Sequence, residues 1–66
     1  MKNTIRVARA EQRMTQQELA DKVDVSRQTI NAIESRKFVP STVLALKIAR
    51  EFGKAVEDIF QLEEED

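Results

Sequence analysis

The sequence predicts an all-α fold of five short helices in a single domain that spans residues 1–66. Apolar residues recur at helical spacing, and no stretch alternates between apolar and polar residues as a half-buried strand would. Residues that begin or end helices stand between these stretches: Thr15, Ser26, Ser41, Pro40 and Gly53. A chain of this length buries one small core and gains further stability mainly from helix packing or oligomerisation.

The first two predicted helices run from Asn3 or Thr4 to Arg13 and from Gln16 to Val23. Asn3 is a suitable cap for the first helix, because its side chain can accept a hydrogen bond from a free backbone N–H. The second helix begins with a capping box. The Thr15 hydroxyl and the Glu18 carboxylate, three residues later, can each accept one backbone N–H.

The third predicted helix runs from Arg27 to about Ser35, behind the capping hydroxyl of Ser26. Only Asp24 and Val25 separate its cap from the end of the second helix, so the two helices must meet at a sharp angle. Such a pair is a helix-turn-helix, whose second helix can enter the major groove of DNA. The stretch 15–34 therefore predicts a DNA-binding function.

The fourth helix is predicted from the Ser41 cap to Phe52, before Gly53, and the fifth covers about Val56 to Phe60. Apolar residues occupy more than one face of the fourth helix. Its own chain can bury this helix, and a second copy can cover part of the same surface; both interpretations stay open here. We expect a dimer interface that includes Leu44, Val56, Ile59, Phe60 and Leu62.

Charge is unevenly distributed along the chain. Residues 1–50 contain ten Lys or Arg and five Asp or Glu, whereas residues 51–66 contain one Lys and seven acids. The basic part coincides with the helix-turn-helix, as expected for a protein that binds nucleic acid. The acidic end, Glu63 to Asp66, is typical of a solubilising tail.

Cys and His are both absent, which removes disulfides, thiolate metal sites and the usual general base. We therefore expect no enzymatic activity, no cofactor, no metal and no small-molecule ligand. The N-terminal residues lack a continuous apolar run, so neither a signal peptide nor contact with a membrane is expected. A cytoplasmic location follows as the default expectation.

In a helix-turn-helix, the first helix of the motif lies across the DNA backbone; here this is the second predicted helix, which we call the bracing helix. The first residues of the third helix are therefore expected to meet base edges. Arg can donate a fork of hydrogen bonds to guanine, and Gln or Asn can pair with adenine. The expected base contacts are Arg27, Gln28, Thr29 and Asn31. Phosphates are expected at the start of the bracing helix and beside the third helix, at Gln16, Gln17, Ser26, Arg36 and Lys37.

Three blocks of the sequence resemble the phage-repressor and Cro family of helix-turn-helix regulators, the XRE-like proteins, and in particular the short cytolysin-repressor type. The blocks are Thr15-Gln16-Gln17-Glu18-Leu19-Ala20, then Val25-Ser26-Arg27-Gln28-Thr29-Ile30-Asn31 with Ile33-Glu34, and last Pro40-Ser41 with Ala45-Leu46-Lys47-Ile48-Ala49 and Glu57-Asp58-Ile59-Phe60-Gln61. The resemblance implies a lambda-repressor-like five-helix domain, a homodimer and repression from a palindromic operator in double-stranded DNA. It also implies base contacts at the positions of Arg27, Gln28 and Asn31.

The same resemblance implies three further features. Arg9 and Glu34 match an internal salt bridge, and Met1 to Asn3 match a strand that pairs with Gln61 to Glu63 in a small β-ribbon. Family members usually carry Gly where this chain has Arg13 and Asp24, so left-handed backbone and some strain are expected there. Ala55 replaces a common capping Ser, and Thr42 and Val43 stand in exchanged order.

A different function is compatible with the same fold. A protein-interaction module, such as an antitoxin or adaptor, would use the apolar surface of the fourth and fifth helices to bind a protein partner. The base-competent side chains between Arg27 and Asn31 favour DNA binding instead.

Overall fold

The computed structural model describes all 66 residues and contains five α-helices and a two-stranded sheet. The helices are α1 (Ile5–Glu11), α2 (Gln16–Val23), α3 (Arg27–Glu34), α4 (Thr42–Glu51) and α5 (Val56–Ile59). The strands are β1 (Lys2–Asn3) and β2 (Phe60–Gln61), and they pair antiparallel. The predicted five-helix fold is confirmed. None of these helices has the length and apolar character that crossing a membrane requires.

The helices begin where the capping residues of the sequence predict. Thr15 Oγ1 accepts from the Glu18 N–H at 3.0 Å, and Glu18 Oε1 accepts from the Thr15 N–H at 3.0 Å. The Ser26 and Ser41 hydroxyls each accept a backbone N–H three residues later, both at 3.1 Å. Helix α1 differs, because its N-cap is Thr4, which has no side-chain cap hydrogen bond, and Asn3 Oδ1 accepts from the Ile5 N–H at 3.3 Å from one residue before the N-cap.

Left-handed backbone closes the turns after α1 and α2. The φ angles are +53° at Arg13 and +60° at Asp24, in the region that glycine adopts without strain. Gly53 takes the same conformation after α4, at +64°. Arg36 is a further left-handed residue, at +64°, and it closes the end of α3. The turns thus keep the shape of a glycine turn at three positions where the chain carries larger side chains.

The core consists of thirteen buried apolar residues contributed by all five helices and β2. Ile5, Leu19, Ile30, Ile33, Ile48 and Ile59 are the largest side chains without contact to solvent. Leu44 and Phe60 also belong to this core, with less than a tenth of each exposed. Of the residues expected at the dimer interface, Leu44, Ile59 and Phe60 therefore pack mainly inside their own chain, which leaves little of their side chains for a second copy.

The fourth helix has two apolar faces with different surroundings. Leu44, Ile48 and Ala49 face the core, whereas Val43 and Leu46 are more than half exposed. The chain therefore buries only one side of α4. The exchanged order at Thr42 and Val43 places the valine on the outer face, next to Leu46.

The β-ribbon exists, but its strands pair one residue earlier in β2 than expected. Lys2 faces Gln61 and Asn3 faces Phe60. Phe60 leaves helical geometry, with φ −118° and ψ 130°, and its ring enters the core. The Thr4 N–H then donates to the Ile59 carbonyl at 2.9 Å, which joins the two ends of the chain. A helix continuing through Phe60 would lose this pairing.

Candidate nucleic-acid interface

Helix α3 has a buried side and an exposed side. Ile30 and Ile33 are buried in the core, which fixes the helix against α2. Arg27, Gln28 and Asn31 lie on the exposed side. Because the apolar and polar positions alternate at helical spacing, the helix presents its polar side chains to solvent without loosening its packing.

The cap of α3 uses two of the residues expected to contact DNA. Ser26 Oγ accepts from the Thr29 N–H, and it lies 3.0 Å from Thr29 Oγ1. Both hydroxyls are therefore engaged at the start of the helix. The side chains of Arg27 and Gln28 make no hydrogen bond within the chain, so their donors at the start of α3 are free for a ligand.

The two glutamines at the start of α2 have different partners. Gln16 Nε2 lies 3.3 Å from Asn31 Oδ1 and 3.2 Å from Glu34 Oε1, so this side chain connects α2 to α3. Gln17 Nε2 donates to Asp21 Oδ1 at 2.8 Å on the surface of α2. The backbone N–H groups at the start of this helix are available for an anion.

Arg9 and Glu34 form an ion pair with two parallel hydrogen bonds. Arg9 Nε lies 2.7 Å from Glu34 Oε2, and Arg9 Nη2 lies 3.0 Å from Oε1. Arg9 Nη1 also donates to the Met14 carbonyl at 2.9 Å. The Glu34 side chain is 1% exposed, so the pair fixes α1, the following turn and α3 together away from solvent.

The pKa of Glu34 is lowered despite its burial. Burial by itself raises the pKa, but hydrogen bonds from Arg9 and Gln16, the positive charge of Arg9 and a hydrogen bond from Arg6 together outweigh it. The carboxylate is therefore ionised at neutral pH. An ionised carboxylate has only hydrogen-bond acceptors, so every group around it must donate.

Arg36 and Lys37, in the loop after α3, are exposed as expected, but Arg36 already has a partner. Its Nη1 lies 3.3 Å from Glu63 Oε1 in the acidic C-terminal segment. Glu63 also lies 3.5 Å from the N-terminal ammonium group, which itself pairs with Asp66 at 2.9 Å. The acidic end therefore lies against the basic side of the domain rather than extending away from it.

Besides the contacts of Gln16 with α3, sequence reasoning missed two others at the end of this helix. Asn3 Nδ2 donates to the Ile33 carbonyl at 2.9 Å, so the ribbon holds the last turn of α3. Arg36 turns the chain with left-handed backbone and brings its guanidinium towards Glu63. No local signal marks either contact, because the partners are about thirty residues apart.

Comparison with known proteins decides the family. A helix-turn-helix family model matches residues 5–59, which include all five helices. The chain belongs to the XRE-type helix-turn-helix family. An uncharacterised HTH-type transcriptional regulator from Methanocaldococcus jannaschii is 52% identical over 66 residues, and the match covers all of both chains. The similarly named YgzD of Bacillus subtilis is 47% identical over the full length of both.

A solved structure agrees with this family. The clp gene regulator ClgR from Corynebacterium glutamicum superimposes with a TM-score of 0.76 at 28% identity. The match covers 82% of the present chain, which spans 57% of the ClgR chain. This XRE-type domain is thus a DNA-binding transcriptional regulator, a class of protein that is not enzymatic.

Proposed function

We propose that the chain is a homodimeric repressor that binds a palindromic operator with α3 in the major groove. The observation that carries the proposal is the division of α3 into a buried side and an exposed polar side. Arg27, Gln28 and Asn31 carry donors and acceptors that suit base edges, while Ile30 and Ile33 hold their helix in the core. Thr29 contacts bases through its methyl group, because its hydroxyl belongs to the cap.

Phosphate contacts in this proposal come from both sides of α3. The free N–H groups at Gln16 and Gln17 bind one phosphate, and Ser26 approaches another at the start of α3. Lys37 and Arg36 supply positive charge after the helix, in the region where the sequence is most basic. Such contacts make affinity fall as salt rises, because fewer counterions are released on binding.

The second copy in this proposal covers the outer apolar surface of α4 and its neighbours. Val43, Leu46 and Leu62 are exposed by 63%, 54% and 80%. Leu46 and half-buried Val56 also line a groove of about 320 Å³ between α4 and α5, with Val39 at its edge. We call Val39, Val43, Leu46, Val56 and Leu62 the apolar surface; it shares Val56 and Leu62 with the interface expected from sequence.

Selection of bound sequences from a random duplex pool tests the proposal. We expect a palindrome whose half-sites are centred roughly 34 Å, or one helical turn, apart. Arg27→Ala and Gln28→Ala should each weaken the selected operator by about 1–3 kcal/mol. Lys22→Ala is the matched control on α2 and should leave the preference unchanged. A pool that yields no common sequence, or binding that does not respond to salt, contradicts the proposal.

The apolar surface also favours a second candidate, a protein-interaction module such as an antitoxin or adaptor. Val43, Leu46 and Leu62 suit a protein partner as well as a second copy. The double variant of Arg27→Ala and Gln28→Ala separates the two functions. Loss of operator binding and of reporter repression supports the repressor. Regulation that persists in this variant, with no DNA binding by the unmodified chain, supports the module.

A further inference from the structure

Arg6 on α1 is an exposed neighbour of the buried ion pair between Arg9 and Glu34. Its Nε lies 3.5 Å from Glu34 Oε1, the same oxygen that Gln16 Nε2 approaches at 3.2 Å. The Arg6 side chain is nevertheless 75% exposed, and its terminal nitrogens, Nη1 and Nη2, have no partner within the chain. Arg6 therefore places a guanidinium at the surface beside the start of α2.

Most of the hydrogen-bonding capacity of Arg6 is unused in the free chain. Arg9 already binds Glu34 through two parallel hydrogen bonds, at 2.7 and 3.0 Å, so the longer contact from Arg6 is not needed to hold this carboxylate. A guanidinium carries five N–H donors, and only the one on Nε lies near Glu34. The four donors on Nη1 and Nη2 are available to an acceptor outside the chain.

The charges around the start of α2 show what such an acceptor requires. Two carboxylates lie there, Glu18 in the capping box and Glu34 beside Gln16. Arg9 offsets the charge of one of them, and the other would repel a phosphate placed against the free N–H groups of the helix. Arg6 is the second cation in contact with this group of side chains. With Arg6 included the charges balance, and the positive end of the α2 dipole can attract an anion.

We propose that Arg6 contacts a DNA phosphate, the one assigned above to the start of α2. This inference rests on the proposed function and adds a contact from α1, which lies outside the helix-turn-helix. While Nε stays against Glu34, Nη1 and Nη2 can donate side by side to two oxygens of one phosphate, the planar fork that suits arginine to this ligand. Arg6 thereby supplies affinity for any duplex and no preference for a base.

Arg6→Gln tests the inference, because glutamine removes the charge and keeps a polar side chain. Affinity for a non-specific duplex is measured by fluorescence anisotropy over a series of salt concentrations. Loss of one phosphate contact should make the slope of log affinity against log salt shallower by about 0.9 for each bound copy. If the two proteins bind alike near about 1 M salt, this slope predicts binding weakened roughly eightfold per copy at about 0.1 M.

Two further variants separate a direct contact from an effect of net charge. Lys54→Gln is the matched control, since it removes an equal charge from beside Glu11 at the other end of α1 and should leave the slope unchanged. Arg6→Lys keeps the charge and should retain most of the slope. An equal loss of slope in Lys54→Gln and Arg6→Gln overturns the inference, as does a loss in Arg6→Lys as large as that in Arg6→Gln.

The remaining outcomes distinguish this inference from the proposed function. An unchanged slope in Arg6→Gln, with a lower free energy of unfolding, means that Arg6 only supports Glu34, and it overturns the inference while the repressor stands. Duplex binding without any sequence preference rejects the repressor, yet the slopes still decide the role of Arg6. A wild-type chain that binds no duplex at all overturns both.

Discussion

The helix-turn-helix of α2 and α3 and the helical pair of α4 and α5 expose surfaces of opposite character. The first exposes polar side chains at Arg27, Gln28 and Asn31, above a hydrogen-bonded network around a buried carboxylate. The second exposes Val43 and Leu46 above an apolar core. Both helix pairs contribute to the same core, so the packing of the core does not explain why their exposed surfaces differ. Each surface suits a different partner, DNA in one case and an apolar protein surface in the other.

The contrast extends to how each half is held in place. In the helix-turn-helix, the position of α3 is fixed by directional contacts. Glu34 on α3 accepts hydrogen bonds from Arg9 on α1 and from Gln16 on α2. Around α5 the polar contacts include no ion pair: Asp58 Oδ2 accepts the Ala55 N–H at 3.3 Å, Thr4 Oγ1 donates to the Asp58 carbonyl at 3.1 Å, and Gln61 Nε2 donates to the Glu57 carbonyl at 2.9 Å. A surface that reads base edges requires side chains held by directional contacts, because hydrogen bonds to bases depend on position and angle. An apolar contact between proteins tolerates looser positioning.

The largest expected effect comes from breaking the network of the first half. Glu34→Ala leaves the partly buried Arg9 guanidinium with only the Met14 carbonyl as its partner, which should cost about 3 kcal/mol of unfolding free energy, at the lower end of the effect of breaking a buried ion pair. That is a large share of the roughly 5–15 kcal/mol that stabilises a small domain. Urea unfolding followed by circular dichroism measures it. Glu11→Ala removes a surface pair, Glu11 with Lys54 at 3.4 Å, and should cost less than about 1 kcal/mol.

The pH dependence of the same measurement identifies the carboxylate as the cause. The pKa of Glu34 in the folded state lies below its ordinary value of 4.5, so ionised Glu34 stabilises the fold above that pH. This contribution is lost as pH falls from 4.5 through the lower folded value. The gap in stability between wild type and Glu34→Gln should therefore narrow in acid. A gap that is equal at neutral and acid pH would contradict an ionic role for Glu34.

The helix-turn-helix was also the half that the sequence predicts best. Thr15, Glu18 and Ser26 act on residues only three positions away, so local sequence contains the whole signal. Burial in the second half depends on the final packing. Ile59 and Leu62 are both apolar and close in sequence, yet one is fully buried and the other is 80% exposed. Periodicity does not separate them, because the chain leaves helical geometry at Phe60.

The resemblance to a family supplied what neither local signals nor periodicity could. The strand pairing of β1 and β2 joins residues nearly sixty positions apart, and the partners Arg9 and Glu34 are 25 positions apart. The link from Gln16 to Asn31 was predicted by neither route. It depends on the angle between α2 and α3, which the short turn at Asp24 sets.

The next largest effect should come from placing a charge on the apolar surface of the second half. About half of the Leu46 side chain is exposed in the single chain, and in the proposed dimer the second copy covers that half. Leu46→Glu removes this burial in both copies, which should weaken the free energy of dimerisation by roughly 2–3 kcal/mol. Sedimentation equilibrium should show a dissociation constant raised by roughly 30-fold or more, with unchanged helix content. Val7→Glu is the control, since Val7 is similarly exposed on α1. Equal behaviour of the two variants would argue against this surface as the interface.

Relieving backbone strain should have a smaller effect, and of opposite sign. Arg13 is exposed and has a φ of +53°, which costs a side-chain-bearing residue about 1–2 kcal/mol. Arg13→Gly removes that cost but adds entropy to the unfolded chain, so a net gain of about 0.5–1 kcal/mol is expected. Ala10→Gly, inside α1, should instead lose about 1 kcal/mol. Thermal unfolding of the two variants tests whether the left-handed turn is strained.

The smallest effect concerns the one contact of the acidic end with a residue expected to bind phosphate. Glu63 pairs with Arg36 at 3.3 Å on the surface, where an ion pair contributes less than about 1 kcal/mol. Glu63→Gln should therefore raise affinity for any duplex by less than about fivefold, most clearly at low salt. Glu64→Gln changes the net charge equally but removes no ion pair. Fluorescence anisotropy on a non-specific duplex compares them. If the two variants bind alike, only the overall charge of the acidic end affects DNA binding; a stronger gain in Glu63→Gln assigns the effect to Arg36.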